Sequence, residues 1–142
     1  MLLNAYLKLH QAIYVATKGW LGHRMLVVPT LLLRTTGRKT GETRTAALVY
    51  AKDGDRYIVV GSNGGAPSSP GWIFNAEANP KVEVQIGRRR MNAVAEVIPS
   101  SAADYPRLWA LVNQRNGGRY DTYQRKTTRP IPLLALTPGA AT

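Results

Sequence analysis

At 142 residues, with 44% hydrophobic and 19% charged content, the chain has the size and composition of one globular domain with a real core, which excludes wholesale disorder. The absence of cysteine and the presence of only two histidines exclude a disulfide framework, a thiolate metal site and a His-based metal cage. The net charge of +11 points to an anionic partner, whether nucleic acid, an acidic membrane surface or a polyanionic small molecule.

In chain order, the first predicted element is a helix within residues 1–26. Leu2, Tyr6, Leu9, Ile13, Ala16 and Trp20 recur at steps of three and four, which marks one apolar helix face. Lys8, His10 and Gln11 interrupt the apolar run, which argues against a secretory signal or a spanning helix. Packing on the domain is the expected use of that face. A lid, or a peripheral contact with the inner face of the cell membrane, is the sharper alternative. Residues 27–142 form the rest of the single domain.

A strand is predicted over Thr30–Arg34 and a second over Thr43–Lys52. Between them, Gly37-Arg38-Lys39-Thr40-Gly41-Glu42 reads as a tight turn. Positive charge is concentrated there beside hydroxyls and glycine N–H groups, which is how a protein holds a phosphate or a carboxylate. Asp53-Gly54-Asp55 signals a hairpin into a third strand, Arg56–Ser62. The loop Asn63–Ser69 follows, with Ser69 as the predicted cap and Pro70 as the first residue of a short helix that ends at Asn79-Pro80. Lys81–Ile86 alternates apolar and polar residues, as does Arg89–Ile98, with Arg88-Arg89-Arg90 as a solvated hairpin tip. Tyr105, Leu108, Trp109 and Val112 have helical spacing, entered near Ser101 or Asp104. A basic, aromatic stretch with Tyr120 and Tyr123 leads to the last strand, Ile131–Thr137. About six strands in hairpin-like order favour a small antiparallel barrel over a parallel sheet.

In such a barrel the turn at 37–42 and the loop at 62–69 are expected to follow neighbouring strands, and the loop opens a helix N-terminus. Neither a Walker loop nor a GxGxxG fingerprint is present. The segments Leu31–Gly41, Gly61–Pro67, Pro70–Asn75, Ala78-Asn79-Pro80, Tyr123-Gln124 and Arg129–Pro132, taken in that order, resemble the deazaflavin (coenzyme F420)-dependent nitroreductase family of actinobacteria. The resemblance runs from about residue 27 to the C-terminus.

What the resemblance implies is an α+β split β-barrel, related to flavin-binding oxidoreductases, of mostly antiparallel strands with flanking helices. Its cofactor carries a tricyclic deazaflavin, a phosphate and an oligoglutamate tail. By similarity, Arg38, Lys39, Thr40 and Arg44 take the phosphate side. Thr45, Ala46, Ala47, Leu48 and Val49, with Val60, Gly61, Ser62 and Asn63, line the ring, and Gly71, Trp72, Ile73, Phe74 and Asn75 complete the pocket. Ser62, Tyr120 and Tyr123 are the candidate hydrogen-bond or proton donors to the acceptor, and Tyr120 also counts among the pocket residues. Trp20, Trp72, Trp109 and Tyr123 are candidate walls for a flat, hydrophobic substrate.

The implied activity is hydride transfer from reduced F420 to quinones, coumarin- or aflatoxin-like unsaturated lactones, or nitroaromatics, in the cytoplasm. Three positions depart from the family pattern: Asn63 stands where lysine is frequent, and Val49 and Gly117 where pocket tyrosines occur. These bear on acceptor specificity more than on the cofactor. FMN in place of F420, a basic nucleic-acid-binding barrel, and a noncatalytic cofactor carrier are the competing readings. Dispersal of the cations over the whole chain weighs against nucleic acid.

Overall fold

The computed structural model describes residues 28–139; the predicted N-terminal helix and the residues beyond 139 lie outside the described range. Seven strands form one antiparallel sheet: β1 (Thr30–Thr36), β2 (Thr43–Val49), β3 (Ala51–Asp53), β4 (Arg56–Val60), β5 (Lys81–Ile86), β6 (Arg89–Ile98) and β7 (Leu133–Pro138). Their order is β2-β1-β5-β6-β7-β4-β3, and every adjacent pair is antiparallel. Three helices accompany them: α1 (Gly71–Ala78), α2 (Tyr105–Arg115) and α3 (Arg119–Arg125).

The strand order carries the main topological fact. β2 and β3 lie at opposite edges of the sheet, yet a single residue, Tyr50, joins them. The two edges can meet at one residue only if the sheet curls on itself, so the architecture is a split barrel. The second strand expected over Thr43–Lys52 is therefore two, and the count is seven rather than six. Tyr50 marks the corner, where its N–H donates to Pro29 O at 3.2 Å and its ring meets Tyr57 edge-on at 5.4 Å.

Alternation decides what each strand buries. Leu31, Leu33, Tyr57, Val59, Val82, Val84, Ala93, Ala95, Leu134 and Leu136 point into the barrel, where Ile73 and Ala76 of α1 join them. The opposite faces of β3, β4 and β7 carry Ala51, Ile58, Val60, Leu133 and Ala135, which α2 and α3 cover with Leu108, Val112 and Tyr120. Burial on both faces accounts for the unbroken apolar runs at 57–60 and 133–136. Fully burying side chains of this size contributes roughly 1.5–3 kcal/mol each, so the two clusters dominate the stability of the domain.

The predicted bounds of β5 and β6 hold. The helix expected at 105–112 is α2, entered at Asp104 with Pro106 in its first turn. Two local expectations change. Pro70, in extended conformation, precedes the first turn of α1, and no side chain caps it; the Ser69 hydroxyl instead accepts a hydrogen bond from Arg129 at 3.2 Å. The 119–125 stretch forms helix α3, which the sequence reading left without a secondary structure. Arg90 ion-pairs with Glu83 at 2.6 Å but stays exposed, as do Arg88 and Arg89, so the basic tip is solvated as expected.

Candidate active site

Antiparallel pairing of β1 with β2 ends at Thr36↔Thr43 and leaves residues 37–42 as the connecting turn. The Gly37 N–H donates to Glu42 O (2.7 Å) and the Gly41 N–H to Gly37 O (2.8 Å), so the turn is closed by its own backbone. Gly41 adopts φ +75, which favours glycine. This rigid reversal projects Arg38, Lys39 and Arg44 outwards, and all three are exposed. Arg44 meets Glu42 only at 3.8 Å, with both side chains largely in solvent, so little of its charge is neutralised. Lys39 has no ion-pair partner among the described residues.

Beside the turn lies an open groove of about 340 Å³, lined by Gly37, Arg38, Lys39, Thr40, Arg44, Thr45, Ala46, Gly71, Trp72 and Asn75. Its two walls are the basic turn with the start of β2, and the first turn of α1. Nine of the residues singled out from the sequence are thereby brought together.

Asn75 lines the groove and also has a structural task that the sequence did not reveal. It is buried (5% exposed), and both ends of its amide are engaged. Oδ1 accepts from the Arg38 backbone N–H (3.1 Å) and from Arg38 Nη1 (2.9 Å), while Nδ2 donates to the buried Thr35 hydroxyl (3.2 Å). Arg38 Nη1 also reaches Gly71 O at 3.4 Å, and the guanidinium lies 5.2 Å from the centre of the Phe74 ring. Asn75 thus pins the turn to α1 and aims Arg38 along the groove wall. The exposed Phe74, expected in the pocket, serves as the surface on which Arg38 lies.

The remaining expected residues fall into three groups. Ala47, Leu48 and Val49 continue β2 beyond the groove as a half-exposed strand paired only with β1, and Leu48 packs onto the barrel interior. Ile73 and Val60 are core residues. β4 ends at Val60, two residues short of the expected Ser62, and Gly61, Ser62 and Asn63 open the loop that follows. Ser62 is 8% exposed, and Asn63 Nδ2 donates to Ser68 O at 3.2 Å. A Cβ on Gly61 would come within 2.9 Å of Ile73, so only glycine lets this loop lie against α1.

The aromatic candidates separate as well. Tyr120 belongs to the core under α2 and α3, not to the groove: its ring packs against Trp109 (6.3 Å) and Tyr123 (6.1 Å). Burial raises its pKa well above the usual tyrosine range, so it is a poor proton donor at neutral pH. Trp109 is likewise structural, stacked on Tyr105 (5.7 Å) and donating to Asp121 Oδ1 (2.7 Å). Tyr123 is half-buried, with Lys126 Nζ 5.8 Å from its ring centre. Trp20 lies outside the described residues.

The sequence reading missed Arg129 as a site residue. Its Nε donates to Ala66 O (2.8 Å), Nη1 to Ser69 Oγ (3.2 Å), and Nη2 to Ser62 O (2.8 Å) and Gly61 O (3.3 Å). Gln124 holds the segment that carries it, donating to Arg129 O (2.8 Å) and accepting from the Ile131 N–H (3.0 Å). The only signal was the co-occurrence of Tyr123-Gln124 with Arg129–Pro132.

Residues 6–138 match the family described as F420H(2)-dependent quinone reductase. The chain is 50% identical over 132 residues to the F420H(2)-dependent quinone reductase Rv1261c of Mycobacterium tuberculosis, covering 92% of this chain and 89% of the relative. Among solved structures it resembles an F420-H2 dependent reductase (FDR-A), with TM-score 0.68 and 34% identity over 76% of this chain and 93% of the other. A likeness to a putative pyridoxamine 5'-phosphate oxidase from Listeria innocua, with TM-score 0.55 and 14% identity over 78% of this chain and 84% of the other, shows the fold alone.

Proposed function

The chain belongs to the F420H(2)-dependent quinone reductase family, and on that premise we propose how its own residues divide the work of binding cofactor and acceptor. The protein is an oxidoreductase that uses coenzyme F420. The observation that supports the cofactor site is the groove where Arg38, Lys39 and Arg44 converge with the first turn of α1. Three cations face one carboxylate there, and Lys39 and Arg44 keep their charge available. That donor set fits a phosphate with further carboxylates beyond it.

In this reading Lys39, Arg44 and the outer nitrogens of Arg38 hold the phosphate, with the Thr40 hydroxyl beside them. Thr45 to Val49 of β2, the segment from Val60 to Asn63, and Trp72 at the groove wall would hold the deazaflavin ring. When bound, the reduced deazaflavin supplies a hydride. The chain's contribution is to orient the ring, exclude water from its face and stabilise the anion that hydride addition leaves on the acceptor. The Ser62 hydroxyl, which has no hydrogen-bond partner among the described residues, is the donor assigned to that anion; Tyr123 is the second. A flat quinone is the acceptor class, and unsaturated lactones and nitroaromatics share its planarity and electron deficiency. The reaction is cytoplasmic. The described helices include none long and apolar enough to cross a membrane.

Fluorescence titration with oxidised F420 tests the site, and oxidation of F420H2 on addition of menadione tests the reaction. Saturable binding that Lys39→Ala weakens, with turnover dependent on the quinone, is the expected result. Binding of FMN in preference to F420 would overturn it, and binding without turnover would make the protein a cofactor carrier. Retention on DNA with a steep salt dependence and no effect of F420 would mark a nucleic-acid-binding barrel.

A further inference from the structure

Arg129 is a half-buried arginine whose guanidinium serves mostly backbone. Among the described residues no carboxylate balances it, and burial lowers its pKa from the ordinary arginine value. Among the described residues every hydrogen bond of its guanidinium goes to one loop, 60 to 68 residues earlier in the chain. The Gly61 and Ser62 carbonyls are both drawn towards it. In a trans peptide the C=O and N–H point in opposite directions, so the N–H groups of Ser62 and Asn63 are turned away from Arg129.

Backbone hand reinforces this. Ser62 is right-handed (φ −75, ψ −35), whereas Asn63 and Gly64 have φ 47 and 66. That change of hand gathers successive N–H groups into a concavity suited to an electron-rich oxygen. Neither the Ser62 nor the Asn63 N–H has a partner among the described residues.

We propose that Arg129 is a positioning residue of the reductase site: it holds loop 61–69 so that the Ser62 and Asn63 N–H groups are presented to a carbonyl oxygen of the deazaflavin ring. This rests on the reading that the ring lies against residues 60–63. Arg129 touches neither cofactor nor acceptor. Its effect is carried by the peptide groups it orients, and Gln124 sets where it stands.

The test compares Arg129→Gln and Arg129→Lys with wild type and with Lys39→Ala. Amide hydrogen exchange of the protein without cofactor should accelerate across 61–69 in R129Q, while the β6 amides stay protected. The dissociation constant for oxidised F420 should rise about tenfold, with partial recovery in R129K, which keeps a charge but loses the fork. The slope of log Kd against log salt should be unchanged in R129Q and shallower in Lys39→Ala, because only the latter removes a contact to the anion.

Wild-type exchange and wild-type affinity in R129Q would overturn the proposal. So would a salt slope that falls as in Lys39→Ala, since Arg129 would then touch the anion directly. A wild-type protein that fails to bind F420 overturns the ring reading itself, and is distinct from a wild type and R129Q that bind equally. If R129Q does not fold, R129K carries the same measurements with a smaller rise in Kd and in exchange expected, and wild-type values of both overturn the proposal.

Discussion

The two loops that flank α1's approach to the groove are built in opposite ways. The 37–42 turn is closed by its own backbone bonds and sends its cations outwards. The 61–69 loop is held by a cation from elsewhere in the chain, drawn inwards onto its carbonyls. One loop keeps its charge for a ligand, and the other takes a charge to fix its shape. Arginine content alone therefore says nothing of a site; what matters is whether the guanidinium has already been used. Arg38 lies between these extremes, with Nη1 engaged by Asn75 and Gly71 while Nε and Nη2 have no hydrogen-bond partner among the described residues.

The contrast breaks most readily at the ligand-facing end. Arg38→Ala combined with Lys39→Ala should weaken F420 binding by about 3 kcal/mol, the lower figure for two charge-assisted contacts, or roughly a hundredfold in Kd. Fluorescence titration measures it, and an unchanged Kd would remove the turn from the site. Thermal stability should hardly change, since both side chains are exposed.

Asn75→Ala should lower stability as well as affinity. It strands the Arg38 N–H and the buried Thr35 hydroxyl, at a cost to folding of about 2 kcal/mol, seen as a lower Tm, and it weakens F420 binding because Arg38 loses its aim. A variant that loses affinity at wild-type Tm would make Asn75 a direct ligand instead.

Two glycines sharpen the same comparison. Gly65 and Gly41 both have positive φ, but a Cβ on Gly65 would stand 2.7 Å from Tyr123 O, whereas Gly41 has open space. Gly41→Ala should cost about 1 kcal/mol from backbone strain alone, and Gly65→Ala should lower Tm further. Equal effects would show that the 61–69 loop yields more easily than its packing against α3 implies.

The smallest effect lies away from the groove. Arg107 and Arg56 hydrogen-bond Asp53 and hold its carboxyl below the usual aspartate range. A carboxylate with a depressed folded pKa stabilises the fold above its unfolded value and loses that contribution as pH falls through the folded one. Tm should therefore decline more steeply below about pH 4 in wild type than in Asp53→Asn, with no change in F420 affinity at neutral pH. An identical acid profile would show that the pair contributes nothing.

These contrasts also mark how far the sequence could be read. β5 and β6 were legible to the residue because one face of each meets the core and the other meets polar surroundings, so alternation reports them. The division of β2 from β3 was not, since the pattern from Thr43 to Lys52 is the same whether the strand is straight or turns a corner at Tyr50. Helix α3 escaped because Arg-Tyr-Asp-Thr-Tyr-Gln-Arg has one fully buried side chain and no apolar stripe; contacts with α2 and with the 63–65 turn sustain it. The basic turn was legible because glycine, hydroxyl and cation crowd into ten residues. The burial of Tyr120 was not legible because it sits in a polar, basic stretch and was placed in the pocket by resemblance alone, and the contacts of Arg129 were not legible because it closes the same basic stretch. What each of the two touches depends on chain that is remote in sequence.

The corner at Tyr50 bears on how the barrel can deform. One continuous stretch supplies both rims of the seam, so the rims cannot drift apart like two independent chains. Any widening of the mouth concentrates as rotation about the backbone bonds of a single tyrosine, with the tethers to Pro29 and Tyr57 resisting it.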